Sequence, residues 1–367
     1  MSEFEVKVYK IAIEPHPDQE AHSIELARVG DFLSVVRKGM YQDGQLAAYI
    51  PEAALCPQAI LETLNLVGGL AGPGQNRVKA IRLRKVLSQG LIYPPKPEWI
   101  EGQDVTEELG ITKWEPKIPE SMSGILAGSG TVLKFDIENI KKDRLYKDGD
   151  QVVFTEKTHG TCMIVGYHRE DQPGNTETPY YDGHFQIGTK NSTRDGFFFT
   201  PCEKNDSNVY VRAFRGTPGI AEALEFLDAF GKVRDPAGKP FLLGEAYGKG
   251  VQDLGYGVPT GEVRFGLFAA VWVGADGTNH WMKWNELKQV SEKCNLGLLP
   301  ALYEGPFSQE VLAQYTSGKE SLSGKSTHMR EGVVVQYAAA QEDTHHHFRK
   351  SISPEYLLRK GDTTELT

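Results

Sequence analysis

Two apolar, strand-like runs flank a polar tetrapeptide in VVFTEKTHGTCMIVGYH, residues 152–168. The first run ends at Glu156 and Lys157, and the second restarts at Cys162. Lys157-Thr158-His159-Gly160 therefore reads as a strand-to-strand turn, with a glycine where close approach is needed. A lysine held at a sheet lip among other cations can have its pKa lowered and become a nucleophile at neutral pH. Taken alone, the stretch fits an exposed turn lysine better, because Lys-x-x-Gly is expected about once by chance in a chain of this size.

The chain has 367 residues, which suggests two domains of ordinary size. Its formal net charge of −9 argues against a general DNA-coating protein but allows a local basic groove. The four cysteines, Cys56, Cys162, Cys202 and Cys294, form no Cys-x-x-Cys pair, so neither a zinc cluster nor a disulfide framework is indicated. The start lacks a basic-then-apolar leader, and no apolar run approaches the ~20 residues of a membrane helix. A reduced, cytoplasmic protein that does not engage membranes is expected.

The first ~95 residues read as short strands separated by turn signals, with one helix near PQAILETLNL. Arg77, Lys79, Arg82, Arg84 and Lys85 crowd into nine positions of a strand pair. About five strands and one helix suggest a small barrel of the OB type, a fold that often holds nucleic acid on one face. The basic residues also fit a solvated strand face. From Tyr93 to about Gly130 the chain is Pro-rich and irregular, and reads as a linker. The expected division is residues 1–130, an OB-like domain with linker, and 131–367, a second domain. There, strands and helices interleave without a βαβ beat or a dinucleotide fingerprint, so the expected class is α+β with largely antiparallel sheets.

Further strand ends carry charge. Glu245 follows an apolar run in FLLGEAYG, and Glu331 opens the apolar EGVVVQY. Arg349 and Lys350 stand before Pro354 in FRKSISPEY, and VRFGLFAAVWV carries Phe265 and Phe268. A carboxylate beside an apolar strand costs free energy unless it is paired or meets a metal. Two such acids and two lysines suit a nucleoside triphosphate site. The cations would neutralise phosphates, the acids would hold a hydrated divalent metal, and an aromatic ring would stack on the base.

Five segments, EKTHG (156–160), GEAYG (244–248), FGLF (265–268), EGVVV (331–335) and RKSISPEY (349–356), resemble in this order the nucleotidyltransferase motifs of ATP-dependent polynucleotide ligases and capping enzymes. With histidine at 159, GEAYGKGVQDLGYG and KSISPEYL, the chain resembles the fifth family of ATP-dependent RNA ligases, which carry an N-terminal OB domain. The resemblance implies that Lys157 attacks the α-phosphorus of ATP to give lysyl-AMP, with a Mg²⁺ or Mn²⁺ ion. AMP then passes to an RNA 5′-phosphate, and a 3′-OH closes the phosphodiester, joining RNA ends or nicks in an RNA-containing duplex.

By the same resemblance Glu156 lies near the adenine edge through its main chain, Gly160 opens the way to the nucleotide, and Glu245 contacts ribose or metal-bound water. Phe265, in preference to Phe268, stacks on adenine. Glu331 holds metal-bound water and Lys350 contacts the α-phosphate. Lys190, with Arg194 as the second choice, supplies a ribose- or phosphate-binding cation. A monomer is expected.

Two positions depart from the pattern. Ile352 stands where many relatives carry a second lysine, with Arg349 or Lys360 as substitutes, and His159 replaces the aspartate of DNA ligases and capping enzymes. The three histidines 345–347 read as an exposed loop, Cys162 as a packed thiol, and Trp272, Trp281 and Trp284 as core residues. The alternatives are a capping-type guanylyltransferase and an OB-fold RNA-binding protein with an inactive second domain. The first usually carries an OB domain after its catalytic domain, and only about 11 residues follow Tyr356.

Overall fold

A computed structural model describes residues 4–128, 131–169, 180–233, 235–339 and 348–359. The chain divides into two compact units. Of the described residues, one unit holds those from 4 to 117, a short return at 138–144 and those from 354 to 359; the other holds those from 118 to 137 and from 145 to 353.

In the first unit the strand Leu46–Ile50 sets the architecture. Its residues alternate between two cores: Ala47 and Tyr49 enter one with Ile11, Ala27 and Phe32, while Ala48 and Ile50 enter the other with Val6, Val8 and Ile60. A period of two with apolar residues on both faces is what a central strand requires. It pairs antiparallel with Lys7–Lys10 and Leu91–Tyr93. Ala12–Pro15, Ile24–Val29 and Phe32–Arg37 form a second antiparallel meander. The helix Gln58–Thr63 starts after Pro57, whose missing N–H costs nothing there.

The Pro-rich passage from Tyr93 to Gly130 is not a spacer. Trp99, Val105, Leu109 and Ile111 are buried in the first unit's core, and Thr112–Lys113 pairs with Ala54–Leu55. Leu126–Gly128 pairs with Phe197–Phe199 in the second unit. Prolines fix φ without preventing the residues between them from packing, and those scattered apolar residues carry the folding signal that an irregular pattern hides.

The basic stretch divides in two. Arg77 is buried with its guanidinium 4.0 Å from the Trp114 ring centre, and Lys79 Nζ donates to the Arg359 carbonyl at 3.2 Å. Both are structural cations. Arg82, Arg84 and Lys85 belong instead to an exposed hairpin, Ile81–Leu83 paired with Val86–Ser88. Its two-residue turn is Arg84-Lys85, at φ 41° and 70°. This left-handed turn favours Asn-Gly, and each larger residue there costs on the order of 1 kcal/mol.

The second unit is built from two antiparallel sheets. One runs Arg349–Ile352, Gly332–Tyr337, Gln151–Lys157, Ala301–Pro306. The other runs Phe185–Thr189, Thr161–Tyr167, Lys239–Tyr247, Arg264–Val273, Asn279–Trp281. The helices Val209–Arg215, Gly219–Gly231 and Trp284–Lys293 pack on the second sheet. Gly219–Gly231 buries Ile220, Ala223, Leu224 and Leu227, the i, i+3, i+4, i+7 stripe of a helix laid on a core. Trp281 and Trp284 are core residues, and Trp272 packs where any side chain at Gly231 or Gly238 would collide with it.

Candidate active site

Strand register places the predicted residues before any side chain is considered. Lys157 ends its strand opposite Gly332, which in turn faces Ile352. One step along, Thr155 faces Val334 and Val334 faces Lys350. Directly paired residues share a face, so Lys157, Val334, Lys350 and Ile352 all point to one side of this sheet. That side borders a pocket whose other wall is Glu245 and Phe268 of the second sheet. Ile352, 9% exposed, thus puts an aliphatic group on the active face beside the Lys157 row.

At the lip, Lys157 Nζ lies 2.8 Å from Glu331 Oε1, with side-chain exposures of 14% and 1%. A carboxylate this buried is tolerated because it is paired, and removing the partner would cost about 3–5 kcal/mol. His159 has its Nδ1 3.4 Å from Glu331 Oε2 and its Nε2 2.6 Å from Asp253 Oδ1. Its backbone N–H donates to Tyr256 Oη at 2.6 Å. Asp253, Tyr256 and Gln252, whose amide donates to the Gly160 carbonyl at 3.2 Å, all come from the glycine-rich loop after Glu245. The loop therefore supplies an acid to the histidine, and this chain of contacts gives His159 the physical role that sequence left open.

Glu156, one residue before the lysine, points through the sheet. Its Oε2 accepts from the Ser321 N–H at 2.7 Å and from Ser321 Oγ at 2.6 Å. Burial raises its pKa, against those two hydrogen bonds, which lower it. The residue borders the pocket while its carboxylate anchors the 321–330 loop. Glu320 anchors the same loop, accepting from the backbone N–H groups of Ser323 and Thr327 at 2.9 and 2.8 Å.

Two expectations change. Phe265 does not enter the pocket: its ring fills the space over Gly244 and joins the core beneath the helices. Phe268 lines the pocket. The cause is a bulge: Leu243 pairs with Ala269 but Gly244 pairs with Leu267, so Phe268 is the extra residue and the alternation switches face there. Gly160 is not an opening for the nucleotide. A side chain there would run into the Ala246 carbonyl and lie 3.1 Å from Glu245 Oε1, so the glycine lets the Glu245 strand come close to the lysine turn.

Glu245 lines the pocket as expected. Lys190 opens the short helix Lys190–Arg194 and its Nζ is 2.8 Å from Asp136 Oδ1. Arg194 pairs with the adjacent Asp195. Burial pushes the Cys162 thiol up to about 12, which keeps it protonated and fits a packed thiol. The histidines 345–347 and Lys360 lie outside the described residues.

Two polar atoms of pocket-lining residues are buried without a hydrogen-bond partner among the described residues, Thr158 Oγ1 and Gln336 Nε2. Each such atom costs about 1–3 kcal/mol unless something satisfies it. Gln336 was not foreseen. Its signal was there, a lone amide in the otherwise apolar VVVQY run, but a single polar residue in a strand does not announce a pocket.

A family model described as RNA ligase matches residues 150–352, and one described as an OB-fold domain matches residues 6–95. No curated protein matches the sequence. Among solved structures, a Naegleria gruberi RNA ligase mutant with AMP and Mn is similar at TM-score 0.74 and 23% identity, over 97% of this chain and 98% of that one. The same enzyme with PPi gives 0.74 and 23% over the same shares. A further mutant, with ATP and Mn, gives 0.73 and 22% over 96% and 98%. These likenesses establish the fold, an N-terminal OB domain followed by an α+β ligase domain. The family model spans more than half of the sequence and every strand that carries the Lys157 site, and the chain belongs to the RNA ligase family.

Proposed function

We propose that the protein seals RNA 3′-OH and 5′-phosphate ends with ATP, through a lysyl-AMP intermediate at Lys157. The observation that carries this reading is the Lys157–Glu331 pair at the lip of a pocket lined by two residues with unsatisfied polar atoms, Thr158 and Gln336. That pocket asks for a polar, partly apolar-walled ligand. A purine base between Phe268 and Val334, with its edge on Gln336 and the Glu156–Thr158 backbone, meets both demands.

In the first step the Lys157 nitrogen must lose a proton, then bond to the α-phosphorus as the bond to the bridging oxygen of pyrophosphate breaks. Glu331 Oε1, at 2.8 Å, aligns the nitrogen and is the acceptor within reach for that proton. Lys350, on the same face, offsets the charge of the α-phosphate. The RNA 5′-phosphate next displaces Lys157 from the adenylyl group, and the 3′-OH finally displaces AMP. Glu245, which lines the pocket, and Glu331, paired with Lys157 at its lip, are hard oxygen donors and suit Mg²⁺ or Mn²⁺, held largely through water, whose charge would offset that of the phosphates. We read Lys190 as an outer cation. Four free cysteines fit a cytoplasmic protein, and we take the monomer as the working unit. No helix among the described residues is long and apolar enough to cross a membrane.

The test is incubation with α-labelled ATP or GTP and a divalent cation. Label from ATP should survive denaturation and be absent from Lys157→Arg, which keeps a cation beside Glu331 and so separates chemistry from folding. Labelling by GTP alone would indicate a capping enzyme, and no label from either would leave an RNA-binding protein.

A further inference from the structure

The hairpin Ile81–Ser88 contributes no residue to the Lys157 pocket. Its first five residues, 81–85, are all exposed. Ile81 and Leu83 are 49% and 38% exposed, although aliphatic residues two apart on a strand would ordinarily face a core. The turn holds Arg84 and Lys85 in left-handed backbone, where asparagine and glycine would fit without strain. The hairpin base is fixed: the Val35 N–H donates to Ser88 Oγ at 2.9 Å and the Gln89 N–H to the Leu33 carbonyl at 2.7 Å. An acid is also near, for Asp18 contacts Arg84 at 3.3 Å.

We infer that this hairpin is a backbone-binding arm for RNA, with Arg82, Arg84 and Lys85 on phosphates and Ile81 and Leu83 against sugar. The two cations sit in an unfavourable turn on an otherwise acidic protein, and the two other basic residues of the same run are committed to Trp114 and the Arg359 carbonyl. Arg82 and Lys85 are exposed near the tip, and Arg84, exposed between them, shares its charge with Asp18. Phosphate contacts position a nucleic acid without reading its sequence, which suits an enzyme that must accept varied ends. The choice of RNA as the polyanion rests on the ligase reading; the arm itself does not.

The triple variant R82Q/R84N/K85G tests this. It removes the charges while giving the turn its preferred residues, so its melting temperature should equal or exceed that of the parent. Binding of a fluorescent nicked RNA duplex to the full-length protein is followed across a salt series. Each phosphate contact contributes roughly 0.7–0.9 to the slope of log K against log salt. The variant should therefore lose about 2 units of slope and bind about 10-fold more weakly at low salt, with self-adenylylation unchanged. An unchanged slope and affinity in a folded variant would overturn the proposal. Failure of the parent itself to adenylylate would overturn the ligase reading and leave the arm to be judged by its salt slope.

Discussion

Glu331 and Glu156 are both buried carboxylates next to Lys157, one in space and one in sequence, yet they face different partners. Glu331 faces Lys157, the amine that the proposed reaction deprotonates, and His159. Glu156 faces the N–H and hydroxyl of Ser321, which have no reason to move. A strand reverses face at every residue, so adjacent acid and lysine are driven to opposite sides of one sheet. The difference teaches that burial of a charge is not by itself a mark of catalysis. What matters is whether the partner is fixed backbone or a reacting side chain.

Neutralising each acid should break the symmetry of that comparison. Glu331→Gln should slow self-adenylylation by about 10²–10³-fold, the usual loss when one preorganised charge is removed from a reacting centre. Glu156→Gln should change the rate by less than about 3-fold, since the amide oxygen can still accept from Ser321. Because burial already raises the Glu156 pKa, its ionised form is disfavoured in the fold, and the neutral amide should be as stable or slightly more stable at neutral pH. Single-turnover labelling and thermal melts of both variants decide. Equal losses of rate would show that the two carboxylates share one task.

Much of this site was legible because its residues sit at strand ends. Lys157, Glu245, Glu331 and Lys350 each interrupt or border an apolar run, and a charge there needs a reason. The OB-type start was legible from alternation with turn signals. The rest was hidden for local causes. Asp253 and Tyr256 lie in a loop without periodicity, so nothing tied them to His159 until the fold closed over it. The linker reading failed because apolar residues spaced among prolines show no period. Phe268 was ranked second because alternation carries no information across a bulge.

The two phenylalanines give a sharper version of the same contrast, with smaller effects. Phe268→Ala should raise the KM for ATP by about 10-fold, the loss of one aromatic contact, and leave stability within about 2 kcal/mol because the residue borders a pocket. Phe265→Ala should cost about 3–4 kcal/mol of stability by opening a cavity in the core, with little change in KM for the folded fraction. Denaturant melts beside ATP titrations distinguish them. A KM effect larger for Phe265 than for Phe268 would place the base on the other face of that strand.

The smallest effect on activity, and the finest test of the Glu156 side, concerns its neighbour Glu320. Both acids hold the 321–330 loop, but with opposite sign. For Glu320, burial works to raise the pKa and is outweighed by hydrogen bonds from the Ser323 and Thr327 side chains and backbone, so the net direction is down from 4.5. A depressed carboxyl contributes stability above its unfolded pKa and loses it as pH falls through the folded value. Glu320→Gln should therefore lower stability by about 1–2 kcal/mol at pH 7, since an amide nitrogen would face donors. The gap between parent and variant should close as pH falls below 4.5. Melting temperatures measured from pH 7 to pH 3.5 check this, and a gap that stays constant across that range would mean that the Glu320 charge plays no part in holding the loop.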